Sequence, residues 1–489
     1  MFIKKYSSAI SFIIIAATIY YSFSSLMPSK ISDEKTSLTE FSTQRALTQL
    51  KKIAEQPHYV GSKAHKTVQH YIVEQLHNLG LKTQIQEQIA INKKWHAATN
   101  TQNILARIKG TDSSKALLLL THYDSSPHSS LGASDAGSGV VTILEGLRAY
   151  LSSGKQPKND IIILISDAEE LGLLGASAFV NNHPWAKDVG LVLNFEARGS
   201  GGPSYMLMET NGGNKKLIEN FNRANPKYPV TSSLMYSIYK MLPNDTDLTI
   251  FREDANIDGY NFAFIDDHFD YHTSQDNYDR LDRNTLEHQA SYLMPLLNYF
   301  ADANLTNLKS NKDYVYFNLP IVGLVFYPFS WVLPMIVLLT LLFIGLIINA
   351  IWRKKINNTY FTKGLISFLL LLVFAGLIGL FGWKALLKIY PQYGDIQQGF
   401  TYNGHTYIAA FVTLIIAICF LVYTEIFRKT SVLNLSITPI TIWILLNLVI
   451  AIYLKGAGYF IIALIYGIIT FLVILFSNRS TQTQQLILT

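Results

Sequence analysis

Cysteine is almost absent: one in 489 residues, Cys419, set in an apolar run near the C-terminus. No disulfide can form within the chain, and a multi-cysteine metal site is excluded. Charge is also scarce. Charged residues make up 15% of the chain against 49% hydrophobic residues, the balance of a protein that is part soluble and part membrane. The net charge of +6 is spread thinly with no basic block, so nucleic acid is not an expected partner. Internal repeats and low-complexity tracts are missing. The length exceeds one ordinary core, and two or three structural units are expected.

What the chain does have is long uncharged stretches. No charge lies between Lys5 and Lys30, long enough for one transmembrane helix, which needs ~20 residues. A cleaved signal peptide is the rival, but no small-residue cleavage site follows the apolar core, so residues 1–30 are expected to be an uncleaved anchor. No charge lies between Asp313 and Arg353 either, and "WVLPMIVLLTLLFIGLIINAI" closes that stretch as a second span. Four more apolar spans centre near Leu371, Ile415, Leu446 and Ile468. Residues 314–489 thus read as a membrane domain with about five helices. Residues 314–330, with Pro320 and Pro328, read as a juxtamembrane segment packed on the domain or bilayer, or as a re-entrant hairpin.

Between them, residues 31–313 have soluble patterning. "TQRALTQLKKIA" and "AHKTVQHYIVEQLHNLG" carry helical periodicity, the second stopping at Gly80. The strands "KTQIQEQIAI", "NILARIKG" and "KALLLLTHY" follow, then the helix "GSGVVTILEGLRAYLSS" and the strands "DIIILISDAEE" and "VGLVLNFEARG". "NTLEHQASYLMPLLNYFADA" is a late helix. Continuous apolar strands alternating with helices predict an α/β domain, a mixed sheet with helices on both faces. Functional groups in such sheets collect past the carboxyl ends of the strands.

Those ends are where the acids lie. "THYDSSPHSSLGASDAGSGV" puts His122, Asp124, His128 and Asp135 just after "ALLLL". The next strand runs into Glu169 and Glu170, the third into Glu196, and "DYHTSQDNYD" supplies His272. Each signal is weak alone. A lone His-x-Asp is ordinarily a surface pair, and adjacent glutamates ordinarily open a solvated helix, where the dipole favours them. At successive strand ends they carry more weight together. Histidine and carboxylate ligands without cysteine suit a catalytic zinc site. Two zinc ions need a bridging carboxylate and two terminal ligands each, which His122, Asp135, Glu170, Glu196 and His272 can supply. Glu169 is left over as a general base.

The order of these residues, with "PHYVGSKAHKTVQHYIVEQL", "SDAEELGLLGASAF", "NFEARGSGGPSYMLMET", "NDTDLTIF" and "YHTSQDNYDRLD", resembles the di-zinc aminopeptidases of clan MH, the aminopeptidase Y and leucyl aminopeptidase type. The closer likeness is to a membrane-anchored branch that includes vacuolar membrane protease and endoplasmic reticulum metallopeptidase. It covers roughly residues 40–305. The resemblance implies a zinc-peptidase-like three-layer sandwich. It also implies that His122 and Glu196 hold one zinc, that Glu170 and His272 hold the other, and that Asp135 bridges. Asp124 would orient His122, Glu169 would move the proton, and Tyr271 would bond the oxyanion. It further implies a cis peptide at Asp135–Ala136, and a pocket shaped by Asp245 and Asp247. Many soluble members carry aspartate where Glu196 stands, but the membrane branch accepts glutamate.

Other residues have plainer readings. His128 is expected to be a loop residue, and His58, His65, His70, His183 and His288 surface or packing residues. His268 stays open as an approach to the site. Asp276 is expected to partner His272. Arg198 has two equal readings, a contact with a substrate carboxylate or an ion pair with an acid. The expected function is a membrane-anchored zinc exopeptidase, an aminopeptidase cleaving peptides. The alternative is an inactive peptidase-like ectodomain serving as a binding module, whose mark would be lost ligands. A transporter would need ionisable groups mid-span, and the span centres have none. Glutaminyl cyclisation on a related fold uses one zinc, against a two-metal ligand set. The modest length and span count favour a bacterial inner membrane over a vacuolar or endoplasmic reticulum membrane.

Lys4 and Lys5, Arg353–Lys355 and Arg428–Lys429 share one side of the expected topology, the cytoplasmic one by the positive-inside rule. A reporter fused near residue 300 is therefore expected to be active only in its non-cytoplasmic form. A cytoplasm-only signal would overturn the topology.

Overall fold

The computed structural model describes residues 6–477 except 113, 128, 243–244, 397–398, 400 and 428–429. His128, Lys4, Lys5, Arg428 and Lys429 lie outside the described residues. The chain divides into two compact units, Ser24–Phe326 and the pair of flanking segments Met1–Phe23 with Tyr327–Thr489.

The first unit is built on a seven-stranded mixed sheet. In chain order its strands are β1 (Thr83–Asn92), β2 (Ala97–Ile108), β3 (Ala116–His122), β4 (Asp160–Ser166), β5 (Val189–Ala197), β6 (Tyr205–Glu209) and β7 (Gly259–Phe264). Their spatial order is β1-β2-β4-β3-β5-β7-β6. The four central strands β4, β3, β5 and β7 run parallel, and the outer pairs are antiparallel. β3 and β4, "ALLLLTH" and "DIIILIS", are buried at every residue, as strands covered on both faces must be.

Alternation along the strands sorts the core into two layers. Leu117, Leu119, Ile161, Ile163, Leu191 and Leu193 face one way. They pack among apolar residues of the helices Thr43–Ile53, Lys63–Asn78, Gly139–Ser152 and Arg283–Phe300. Leu118, Leu120, Ile162, Leu164 and Val192 face the other way, against Phe179, Leu248 and Phe251 of the helices Leu174–Asn182 and Asp247–Ala255. The α/β three-layer arrangement expected from the patterning is the observed one.

One close approach fixes the end of the sheet where the acids gather. A Cβ on Gly139 would lie 2.3 Å from Thr121 Oγ1 and 2.6 Å from the Phe195 carbonyl. The helix beginning there can therefore sit directly on the ends of β3 and β5 only because residue 139 has no side chain.

The uncharged stretch after Asp313 differs from its simplest reading. Tyr314–Leu319 (β8) and Gly323–Pro328 (β9) form a two-stranded sheet. Val315, Tyr316 and Phe317 are buried, and Tyr316 joins the main core. The compact unit that holds the sheet runs on past residue 313 to Phe326. Lack of charge marks burial, and a core strand and a membrane segment share it.

Among the described residues, six helices are long and apolar enough to cross a membrane. They are Ser7–Ser24, Phe329–Trp352, Phe361–Ile389, Gly404–Ile426, Val432–Tyr453 and Lys455–Phe476. Phe343, Ile440, Leu464 and Phe471 form the centre of a buried cluster shared by several of them.

Candidate metal centre

β3 delivers His122 at its last residue, and β5 delivers Glu196 one residue before its end. A Gly-bounded kink over Ala133–Ser138 delivers Asp135, and its Asp135–Ala136 peptide is cis. The loop after β4 supplies Glu169 and Glu170, and the loop after β7 supplies His272.

These groups meet. His122 Nε2 lies 3.1 Å from Asp135 Oδ1 and 3.7 Å from Glu196 Oε2. His272 Nε2 lies 3.3 Å from Asp135 Oδ2 and 3.0 Å from Glu170 Oε2. The two oxygens of Asp135 therefore serve two different triads, His122–Asp135–Glu196 and Asp135–Glu170–His272, each with its ligand atoms within 4.8 Å of one another. Glu170 Oε1, Glu196 Oε1 and His272 Nε2 are buried and make no hydrogen bond among the described residues. Glu170 and Glu196 each turn Oε2 to a histidine and keep Oε1 buried without a partner, as carboxylates with an oxygen to spare for a cation would. The residues present fit two cations.

The electrostatics agree. Burial would raise the Asp135 carboxyl, yet the His122 and His272 imidazoles beside it hold it well below the usual range. Burial, reinforced by the Asp135 charge, pushes Glu170 up to about 8. Burial would lower His272, but the Asp135 and Glu170 carboxylates beside it carry it up to about 10. Burial likewise opposes charge on His122, and Glu196, Asp124 and Asp135 outweigh it. Imidazoles facing carboxylates attract positive charge, either as ring protons or as a metal ion that displaces them.

The surrounding bonds set the tautomer and aim of each group. His122 Nδ1 donates to the Asp124 backbone carbonyl at 2.9 Å, leaving Nε2 for the acids. The Asp124 carboxylate is 3.4 Å from the same nitrogen, and it accepts the backbone N–H groups of Glu169 (3.1 Å) and Glu170 (3.2 Å). The acid expected to orient His122 therefore also fixes the glutamate pair. Glu169 is partly exposed, as is Glu170. Burial raises its carboxyl well above the usual range, with His122 opposing and Glu196, Asp247 and Glu170 adding. Tyr271 stacks on His272 with ring centroids 3.7 Å apart.

Two expectations change. Asp276 does not partner His272: it accepts the N–H groups of Ser134 (2.7 Å) and Asp135 (3.2 Å) and the Ser130 hydroxyl (3.3 Å). It holds the loop that carries the shared aspartate. Asp247 is 1% exposed; the Ser166 hydroxyl bonds Oδ2, and Oδ1 is buried without a partner among the described residues. Burial pushes it up to about 7. His65 is more than packing: it lies 2.8 Å from Asp167 Oδ1 and stacks on Tyr123 at 4.7 Å, beside His122 in the chain. Nothing local in the sequence marks these bonds, because each joins segments far apart in the chain. His268 does approach: its Nδ1 bonds the Arg198 carbonyl and its ring stacks on Tyr271 at 5.5 Å.

Residues 103–297, which include all five ligand-type residues, match the model of peptidase family M28. Over 275 residues the chain is 32% identical to vacuolar membrane protease of Candida dubliniensis, covering 54% of this chain and 28% of that protein. Over 306 residues it is 28% identical to endoplasmic reticulum metallopeptidase 1 of Rattus norvegicus, covering 57% of this chain and 33% of that protein. The matched segment thus spans about a third or less of these relatives. Among solved structures, Porphyromonas gingivalis glutaminyl cyclase aligns at 19% identity over 53% of this chain and 98% of its own, with TM-score 0.43. A Zn-dependent exopeptidase from Parabacteroides distasonis aligns at 21% identity over 54% and 99%, also with TM-score 0.43.

The Asp276 bonds generate a test. Asp276→Ala removes the acceptor from two backbone N–H groups beside Asp135. Loss of an outer partner of a metal ligand typically lowers metal affinity ~10- to 100-fold. Zinc affinity measured by competition with a chelator is expected to fall in that range while the protein stays folded. An unchanged affinity would show that the Asp135 loop holds itself.

Proposed function

We propose that this chain is a membrane-anchored zinc peptidase, acting as an aminopeptidase through two zinc ions. The observation that carries the reading is the division of the Asp135 carboxylate between two triads, each with one histidine and one further acid. His122 and Glu196 would hold one ion, Glu170 and His272 the other. A one-zinc site of the kind used for glutaminyl cyclisation would leave one triad without a cation. The inactive-ectodomain alternative finds no missing ligand to support it. The match to peptidase family M28 and the two membrane relatives support the class of chemistry.

Zinc bound there supplies Lewis acidity, polarising the scissile carbonyl and making water acidic near neutral pH. The protein's own groups do the rest. Glu169, partly exposed, takes a proton from the attacking water and gives it to the leaving nitrogen. Burial raises its proton affinity, the direction expected of a group that must hold a proton between the two transfers. Its main chain is pinned by Asp124, so the carboxylate is presented at a fixed place. Tyr271, stacked on His272, would place its hydroxyl toward the oxygen that gains charge. The catalytic unit would face away from the cytoplasm.

Glu169 and Glu170 are neighbours with different work, which separates this reading from a merely acidic cleft. Glu170→Gln is expected to lower zinc content and rate together. Glu169→Gln is expected to keep both ions while the rate on N-terminally free peptides falls ~100- to 10,000-fold. Zinc analysis and activity on both variants decide it. A Glu169→Gln enzyme near wild-type rate, or one that loses zinc, breaks the assignment.

A further inference from the structure

Arg198 stands two residues beyond the ligand Glu196, at the end of β5. Its guanidinium carbon lies 5.7 Å from the centre of the Tyr271 ring, the residue next to the ligand His272. Its one side-chain hydrogen bond among the described residues runs from Nη2 to the Asp245 backbone carbonyl, 3.1 Å away. Its backbone is clamped from both sides: its N–H donates to the Phe264 carbonyl at 2.8 Å, and its carbonyl accepts from His268. The Asp245 carboxylate is turned to Lys94, 3.5 Å away at the exposed β1–β2 turn.

Among the described residues no carboxylate lies within ion-pair distance of Arg198, although Glu169 and Glu196 are near enough to favour its charge. Burial opposes that charge most strongly. The expected alternative of an ion pair with an acid is therefore not what the structure shows. A guanidinium offers five N–H donors in a planar fork that matches a carboxylate. Here one is used. Arg198 is partly exposed, so the fork has a route to solvent. The ring beneath, the clamped backbone and the single carbonyl bond hold the fork in one orientation beside the metal triads. That arrangement suits an anion: Glu196 and Glu170 turn to the triads and Asp124 to backbone N–H groups, and Glu169 lies outside ion-pair distance of the guanidinium.

We propose that Arg198 receives a substrate carboxylate borne by the residue next to the scissile bond. The preferred substrates are then short peptides whose free C-terminus falls at that position, or peptides acidic there. The inference rests on the peptidase reading above for the position of the scissile bond.

The test reads binding rather than turnover. Full-length, zinc-loaded Glu169→Gln protein is titrated with leucyl-leucine, leucyl-leucinamide and the α-amide of leucyl-glutamate. A charge-assisted bidentate contact should tighten binding at least ~10-fold over the neutral amide. Preference for leucyl-leucine identifies the chain terminus as the source of the carboxylate; preference for the glutamate α-amide identifies the side chain. Adding Arg198→Ala should erase the preference, and Arg198→Lys should keep part of it, with zinc content unchanged in both. Equal affinity for all three peptides, no binding of any, or a preference that survives Arg198→Ala overturns the proposal. In wild-type enzyme the effect should fall on KM. A loss in kcat shared by all substrates would instead make Arg198 part of the oxyanion machinery. Absence of hydrolysis by wild-type protein would defeat the peptidase reading, while the binding comparison would still decide the role of Arg198.

Discussion

The site depends on one carboxylate facing two imidazoles. Asp135 gives Oδ1 to His122 and Oδ2 to His272, so its plane and its distance from both strands must be fixed together. The fixing is done through the main chain. Asp276 grips the N–H groups of Ser134 and Asp135, Asp124 grips those of Glu169 and Glu170, and the Asp124 carbonyl grips His122 Nδ1. Outer acids that bond to backbone orient the chain and leave the inner oxygens free. A carboxylate tied to another side chain would move with it.

The sheet supplies the convergence. His122 pairs in register with Ser166 at the parallel ends of β3 and β4, and Glu196 pairs with Ala263 on β7. Parallel strands end together, so residues distant in sequence emerge on one edge. Ser166 and Asp167, the last residues before the loop of glutamates, turn to Asp247 and His65 and tie that edge to a helix on each face.

Much of this was legible in the residues. β3, β4 and β5 are unbroken apolar runs, and the helices Gly139–Ser152 and Arg283–Phe300 repeat with helical period, so burial alone announces them. β6 and β7, five and six residues long, mix tyrosine, asparagine and glycine and give no clear period. The ligand types were legible because histidines and acids follow several buried strands in succession, each a weak sign alone and a stronger one together. The partners of Asp276 and Asp247 were not. An acid's chemistry is local, but which donor it meets is set by tertiary contacts across 141 and 81 residues of chain. The hairpin after Asp313 shows the same limit for apolar segments: composition reports removal from water without saying whether protein or lipid removes it.

Crowding of acids is the remaining consequence. Asp124, Asp135, Glu169, Glu170, Glu196, Asp247 and Asp276 share a region with the bases His122, His272, Arg198 and His58, the last held neutral by burial. Burial pushes Asp247 and Asp276 each up to about 7 and Glu170 up to about 8. Such a cluster works against folding unless positive charge neutralises it. Two divalent cations would bring that charge to the middle of the cluster, and the fold has aimed its least satisfied oxygens there. Arg198 contributes charge at the edge but closes on none of the acids. A cation left open beside a compensated cluster adds little to stability. Its bonds are available to an anion that arrives with the substrate.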